Sequence, residues 1–281
     1  MRTMSLALCG VLIGCGNSGP PPPPPFPGAQ ETASASDDRN PQDTPAPPRG
    51  LAPGERKTVA GIEFAWIPPG TFWMGSPESE IGHESNELQH EVTLTKGFWM
   101  STTEVTQAAW EAAMGSNPSE AVGPNLPVDH VSFNDAFNFM RTVGTANGVQ
   151  LRFPTEAEWE YACRAGSQTA FCSGDGDQSV LDFGWFEENS GRVTQPVAQL
   201  RPNAWGLYDM HGNLAEWCHG SMSPYAAGPV TDPPPPPGGF KVVRGGSRGS
   251  LAVYARSANR DDNDPDSRLN WIGFRLASNR L

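Results

Sequence analysis

Between Lys57 and Leu281, Gly, Pro, Asn and Trp recur so often that only short segments of periodic hydrophobicity survive, and this interruption limits the fold more than anything else in the chain. A repeating βαβ architecture needs helices spread along the sequence. Here the helical segments gather in the first half, while the second half reads as loops and short strands. The segment therefore reads as an irregular, loop-rich α+β domain.

Three helices carry their own boundary signals. Thr106 precedes the run Gln107–Met114 and Gly115 follows it, giving an N-cap and a C-terminal stop. Ser132, with Asp135 three residues on, opens a second helix that carries Ala136, Phe137, Phe139, Met140 and Val143 towards Asn147-Gly148. Thr155 and Glu158 form a capping box behind Pro154 and open a third helix through Trp159, Tyr161 and Ala162. Strands are expected at 61–67, 71–74, 90–94, 97–100 and 240–244, each short and bounded by turn residues.

The N-terminal part is different in kind. Arg2, the apolar stretch Met4 to Gly14 and Leu12-Ile13-Gly14-Cys15 read as an export signal, and the last four resemble a bacterial lipobox. Cys15 is then the lipidated N-terminus of a protein held at a bacterial membrane and facing the periplasm or cell exterior; an ordinary cleaved signal peptide is the alternative. Residues 15–56 are poor in large apolar groups and rich in proline, including Pro20–Pro25, so they read as an extended tether, with a proline-rich docking segment as the alternative. The organisation expected is a signal at 1–14, a tether at 15–56 and a folded domain at 57–281.

A net charge of −12 argues against an electrostatic grip on nucleic acid or on an anionic membrane face, so any membrane attachment runs through the N-terminal lipid. No apolar run is long enough for a spanning helix. Neither a Gly-x-x-x-x-Gly-Lys phosphate loop, nor a Gly-x-Gly-x-x-Gly fingerprint, nor a Gly-x-Ser-x-Gly elbow occurs. In the domain Cys163, Cys172 and Cys218 remain, an odd number that in an oxidising compartment predicts one disulfide and one free thiol without saying which pair.

A series of segments occurs in a specific order: Ile67–Ser76, Glu104-Val105-Thr106, Pro127–Phe133, Leu151–Ala162 and Pro202–Asn213. Arg244-Gly245-Gly246-Ser247, Arg256–Arg260 and Ile272–Arg275 complete it. Together these resemble the formylglycine-generating enzyme (sulfatase-modifying factor) family over roughly residues 60–278. The resemblance implies a variant of the C-type lectin fold, stabilised partly by calcium. It also implies an oxidase that converts a cysteine in a Cys-x-Pro-x-Arg segment to formylglycine, using oxygen and copper held by two thiolates.

At the two positions where the family places those thiolates this chain has Ser250 and Ala255, beside Ser247 of the groove, and a third family position is Ala215 rather than Trp. A hydroxyl is a hard, weak ligand for copper(I) and a methyl is none, so no catalytic residue and no copper are expected. The resemblance implies calcium held by Asp209, the carbonyls of Gly212 and Leu214, and Glu216, with Asn189 a candidate at the family's second site, and a hard cation suits such oxygens. His83, His90, His130, His211 and His219 show no metal-binding spacing and are expected to be polar surface groups. The acidic run Asp261–Asp266 is expected to be a solvated turn near the groove, and Trp271 and Trp185 are candidates for a recognition surface. Two functions follow: a membrane-anchored, calcium-stabilised binding or scaffold module whose partner is a protein or peptide, or else a glycan; and, in competition, an oxidoreductase of the formylglycine-generating type.

Overall fold

The computed structural model describes residues 50–281, so the expectations for the export signal, Cys15 and nearly all of the tether lie outside the described residues. The domain is built from short strands and three real helices: β1 (Arg56–Val59), β2 (Ile62–Ile67), β3 (Gly70–Met74), β4 (His90–Leu94), β5 (Phe98–Ser101), α1 (Gln107–Met114), α2 (Phe133–Asn147) and α3 (Glu156–Arg164). The remainder is loops, strands of two to seven residues, two single-turn helices (Asp177–Val180 and Glu187–Ser190) and the 3-10 segment Ala252–Ala255. No helix among the described residues is long and apolar enough to cross a membrane. β1 begins one residue before Lys57, and Gly54 N–H already donates to Trp66 O at 2.9 Å.

Each helix is capped as its sequence dictates. Thr106 accepts from Ala109 N–H and Gly115 closes α1 in the left-handed region. Ser132 with Asp135, and Thr155 with Glu158, form reciprocal capping boxes on α2 and α3. α2 buries Ala136, Phe139, Met140, Val143 and Gly144, the spacing of a single apolar stripe. Phe137, which the sequence put on that stripe, is exposed instead. α3 is buried on nearly every side and runs through the middle of the domain.

Two four-stranded sheets frame it. In one, β1, β2, β5 and Ala277–Ser278 pair antiparallel, with Ala65 opposite Met100. The other orders Asp261–Asn263, Lys241–Arg244, Ala215–Ser221 and Ile272–Gly273, the last pair being parallel. β3 and β4 form a third sheet with Val230–Thr231. Strand Lys241–Arg244 excludes Phe240, which is exposed. Ala215–Ser221 is the longest strand and was not expected: six of its seven residues are buried, so it shows no alternation, and Ala and Glu are poor strand formers.

The core forms three clusters, and the buried apolar residues of α3 belong to one of them. In another, Phe274 sits among Trp110, Phe139 and Phe153, with ring centroids 5.6–6.2 Å away, and Trp217 and Val243 join the same cluster. Phe274 is fully buried, so truncation leaves a cavity that neighbouring rings on three separate elements cannot fill. Phe274→Ala is expected to lower the unfolding free energy by about 3–5 kcal/mol in urea titrations, whereas a loss below about 1 kcal/mol would show a core that repacks.

Candidate functional site

The groove forms where strand Lys241–Arg244 turns out into a loop. Gly245 and Gly246 have φ of +94° and +65°, and a Cβ on Gly246 would meet Tyr254 O at 2.9 Å and the Ala255 Cβ at 3.0 Å. Only glycine lets the turn close on the short 3-10 segment Ala252–Ala255. The turn delivers Ser247 and Ser250 to the groove together with Ala215, Asp261 and Trp271. Trp271, a candidate recognition residue in the sequence, thus lies where Ala215 leaves room: Ala215 N–H donates to Trp271 O at 2.9 Å.

The groove's chemistry is that of hydroxyls. Ser250 Oγ accepts from Ser247 N–H at 3.2 Å and lies 3.3 Å from Ser247 Oγ; Ala255 is fully buried against Gly246 and does not line the groove. No histidine and no cysteine lines the groove, and Arg260 at its edge is held by both oxygens of Glu156 at 2.6 and 2.8 Å. Neither serine hydroxyl hydrogen-bonds a histidine or a carboxylate among the described residues, so neither is held as an activated nucleophile.

The three cysteines are free, which corrects the disulfide expected from their number. Cys163 and Cys218 are fully buried; burial pushes the Cys163 thiol up to about 12 and the Cys218 thiol up as well. Such thiols stay protonated, and among the described residues no group of three His, Cys, Asp or Glu side chains gathers to hold a metal beside them. His211 lies 3.6 Å from Cys163 Sγ through Nε2, but it is no surface group: it is 1% exposed, Nδ1 bonds Ala255 O at 2.8 Å and Nε2 accepts from Cys172 N–H at 3.2 Å. Both ring nitrogens are thereby used, and the arrangement fixes the Nδ1–H tautomer. His90 is also buried, so the expectation of surface histidines fails for both. Sequence pattern hides this because the enclosing groups are loops distant along the chain.

Of the residues expected to hold calcium, Asp209 and Glu216 lie close enough to feel each other's charge. Asp209 and Asn213 both adopt left-handed backbone (φ 54° and 58°) on either side of His211-Gly212. Asp209 Oδ2 accepts from Ala198 N–H at 2.8 Å, while Oδ1 is buried without a partner. Glu216 is committed elsewhere: Arg275 Nε donates to its oxygens at 2.9 and 2.7 Å, and Trp159 Nε1 donates at 2.7 Å. Glu104, which sequence reasoning missed, joins the cluster by accepting Leu214 N–H at 3.1 Å. Glu104, Asp209 and Glu216 are all buried with Arg275 as their guanidinium, so full ionisation leaves two negative charges uncompensated.

Burial raises both groups: Asp209 to about 6, with Glu216 adding to the effect, and Glu104 well above the usual carboxylate range, with Asp209 and Glu216 adding. Among the described residues no three His, Cys, Asp or Glu side chains form a metal cage. Asn189 does not fit a second site. Its Oδ1 accepts Phe186 N–H at 2.7 Å, and Nδ2 donates to Leu181 O and Gly184 O, so its amide closes a turn. The acidic run is a short strand, Asp261–Asn263, on the sheet edge followed by a turn.

The Asp209 shift has a defined sign. An unfolded chain releases this proton near 3.8 and the folded one near 6, so the folded state holds an extra proton between those values. With divalent ions chelated, the thermal midpoint is expected to fall as pH rises from about 4 to 7, and Asp209→Asn to flatten that fall. An identical slope in the variant would show that Asp209 does not carry it.

The domain matches the family model of the sulfatase-modifying factor enzyme 1-like domain over residues 50–280. A formylglycine-generating enzyme of Streptomyces coelicolor is 37% identical over 203 residues, 64% of this chain and 60% of that protein. The chaperone protein LppX of Paenibacillus barcinonensis is 28% identical over 185 residues, 48% of this chain and 66% of the relative. The chain thus spans less than two thirds of either relative's own length. Among solved structures, Treponema denticola variable protein 1 superposes with a TM-score of 0.73 at 28% identity, covering 80% of this chain and 98% of that one.

Proposed function

Because the chain belongs to the sulfatase-modifying factor enzyme 1-like domain family, and has its irregular, C-type-lectin-like α+β fold, we propose that it is a binding or scaffold module whose groove takes a peptide segment of a partner protein without oxidising it. One observation carries this reading: the two positions that the family resemblance assigns to thiolates are Ser250, hydrogen-bonded to Ser247, and the buried methyl of Ala255. The donor set does not fit copper. None of the three cysteines lines the groove, and the Cys163 and Cys218 thiols are held protonated inside the core.

Calcium is the cation the domain suits. Asp209 Oδ1 needs a partner, and a divalent ion beside it would balance the charge left by Glu104, Asp209 and Glu216. Its role would be to hold the loop at His211-Gly212 that backs the groove, with Asp209 and the Gly212 and Leu214 carbonyls as donors and Glu216 set aside for Arg275. Adding calcium to the chelated protein is expected to reverse the loss of stability at pH 7 in the native chain and not in Asp209→Asn. Lipidation at Cys15 with a proline-rich tether would set this module off a bacterial membrane on its outward-facing side, and the lipid would be its one membrane attachment.

The 37% identity to a formylglycine-generating enzyme favours a second reading, an oxidoreductase acting on a cysteine of a sulfatase or another secreted substrate. The two are separated by incubating the full chain with a Cys-x-Pro-x-Arg peptide, oxygen and copper(I), and weighing the peptide. The binding reading expects no aldehyde above the copper-free control. Copper-dependent conversion would overturn it in favour of the oxidoreductase.

A further inference from the structure

Six arginines of the described domain are buried, and five of them face a carboxylate. Arg164 and Arg244 share Glu160, Arg256 holds Glu87, Arg260 holds Glu156 and Arg275 holds Glu216. Arg248 is the exception. It is 9% exposed, and its Nε and Nη1 are buried with no hydrogen-bond partner among the described residues.

Its backbone is nonetheless fixed, since N–H donates to Asn213 O at 2.8 Å and the carbonyl accepts from Ser190 Oγ at 2.7 Å. The acids that act on its charge bond elsewhere and neither hydrogen-bonds Arg248: Asp129 Oδ1 takes Glu120 N–H and His130 Nδ1, and Glu120 Oε2 takes Asn270 Nδ2. Burial accordingly pulls the guanidinium below its ordinary range, the opposite of the paired arginines Arg244, Arg256 and Arg275.

Arg248 lines a recess with Arg192, Asn270 and Trp271, and this recess shares Ser247, Ser250 and Asp261 with the groove. Arg192 is mostly exposed and ion-paired to Glu187, which leaves Arg248 as the cation lining the recess whose Nε and Nη1 have no partner among the described residues. A planar guanidinium with unfilled N–H groups accepts a carboxylate through parallel hydrogen bonds. Asp261 in the recess and Glu84 in the adjoining groove set a negative field that penalises a dianion more than a monoanion. Trp271 offers an aromatic wall to the group carrying the charge.

We propose that Arg248 is the anion subsite of the groove, and that the peptide bound there presents one carboxylate to it, from an acidic side chain or from the chain end. This rests on the reading of the groove as a peptide-binding site. A buried cation without a partner also has a signature of its own: removing it relieves desolvation without stranding a counter-charge, so a ligand-binding Arg248 differs from a structural one.

The test uses the full chain and three blocked tripeptides: Ac-Ala-Ala-Glu-NH2, Ac-Ala-Ala-Ala-OH and the neutral Ac-Ala-Ala-Gln-NH2. The Arg248 Nε–H resonance, assigned by its loss in Arg248→Met, reports contact, and thermal unfolding reports stability. Either carboxylate peptide is expected to move that resonance saturably, the stronger one naming side chain or chain end as the source. Arg248→Met is expected to melt at or above the native temperature and to bind on the order of tenfold more weakly. Arg248→Lys should keep the charge and part of the affinity. Equal response to the neutral peptide, or Arg248→Met melting well below native with binding unchanged, would overturn the proposal. Binding that persists in Arg248→Met leaves the groove reading standing and removes the subsite alone; conversion of a Cys-x-Pro-x-Arg peptide removes the groove reading while the Arg248 response is judged by its own resonance.

Discussion

The domain hangs on buried guanidinium–carboxylate pairs that tie its last forty residues to elements far back in the chain. Arg244 reaches Glu160, Arg256 reaches Glu87 and Arg260 reaches Glu156, separations of 84, 169 and 104 residues, and each arginine is at most 4% exposed. α3 is the hub, because Glu156 and Glu160 lie four residues apart on it, beside Trp159, which donates to Glu216. With three helices and several small sheets, the chain has little regular backbone to hold its loops. Charge-assisted bonds with fixed geometry do that work, and losing either partner would leave an uncompensated charge inside.

That scaffold explains how the groove keeps its form while its chemistry departs. The Gly245-Gly246 turn follows directly from Arg244, and the segment bearing Ala255 is pinned by Arg256. Ser and Ala fill the two positions with side chains no larger than the cysteine they stand in for, so neither disturbs the packing around them. The fold does not need the thiolates; copper would. Calcium, on the proposed reading, would belong to the scaffold side of this division, at a loop with left-handed residues and an unpartnered Asp209 oxygen.

Legibility in the sequence follows the range of the interactions. α1, α2 and α3 were readable because caps and apolar spacing act within a few residues, and β2 to β5 because turn residues bound them. Strand Ala215–Ser221 was hidden, since burial on both faces erases alternation. The ordered segments that carried the family resemblance were legible as a pattern, yet their physical reason was not: Arg244, Arg256, Arg260 and Arg275 are the guanidiniums, and Glu156 and Glu160 the acids. His211, Glu104 and Arg248 each depend on what lies across the fold, so their burial and partners had no local signal. Counting cysteines also misled, because an odd set of thiols need not pair and all three are free.

The central claim is that the groove retains the family's shape without its metal-binding thiolates. It is tested most directly by titrating the native chain and the double variant Ser250→Cys/Ala255→Cys with copper(I) against a competing chelator, with X-ray absorption to read the sulfur ligands. The account predicts no tight copper in the native chain and one ion held by two sulfurs in the variant. A tight two-sulfur complex in the native chain would contradict it.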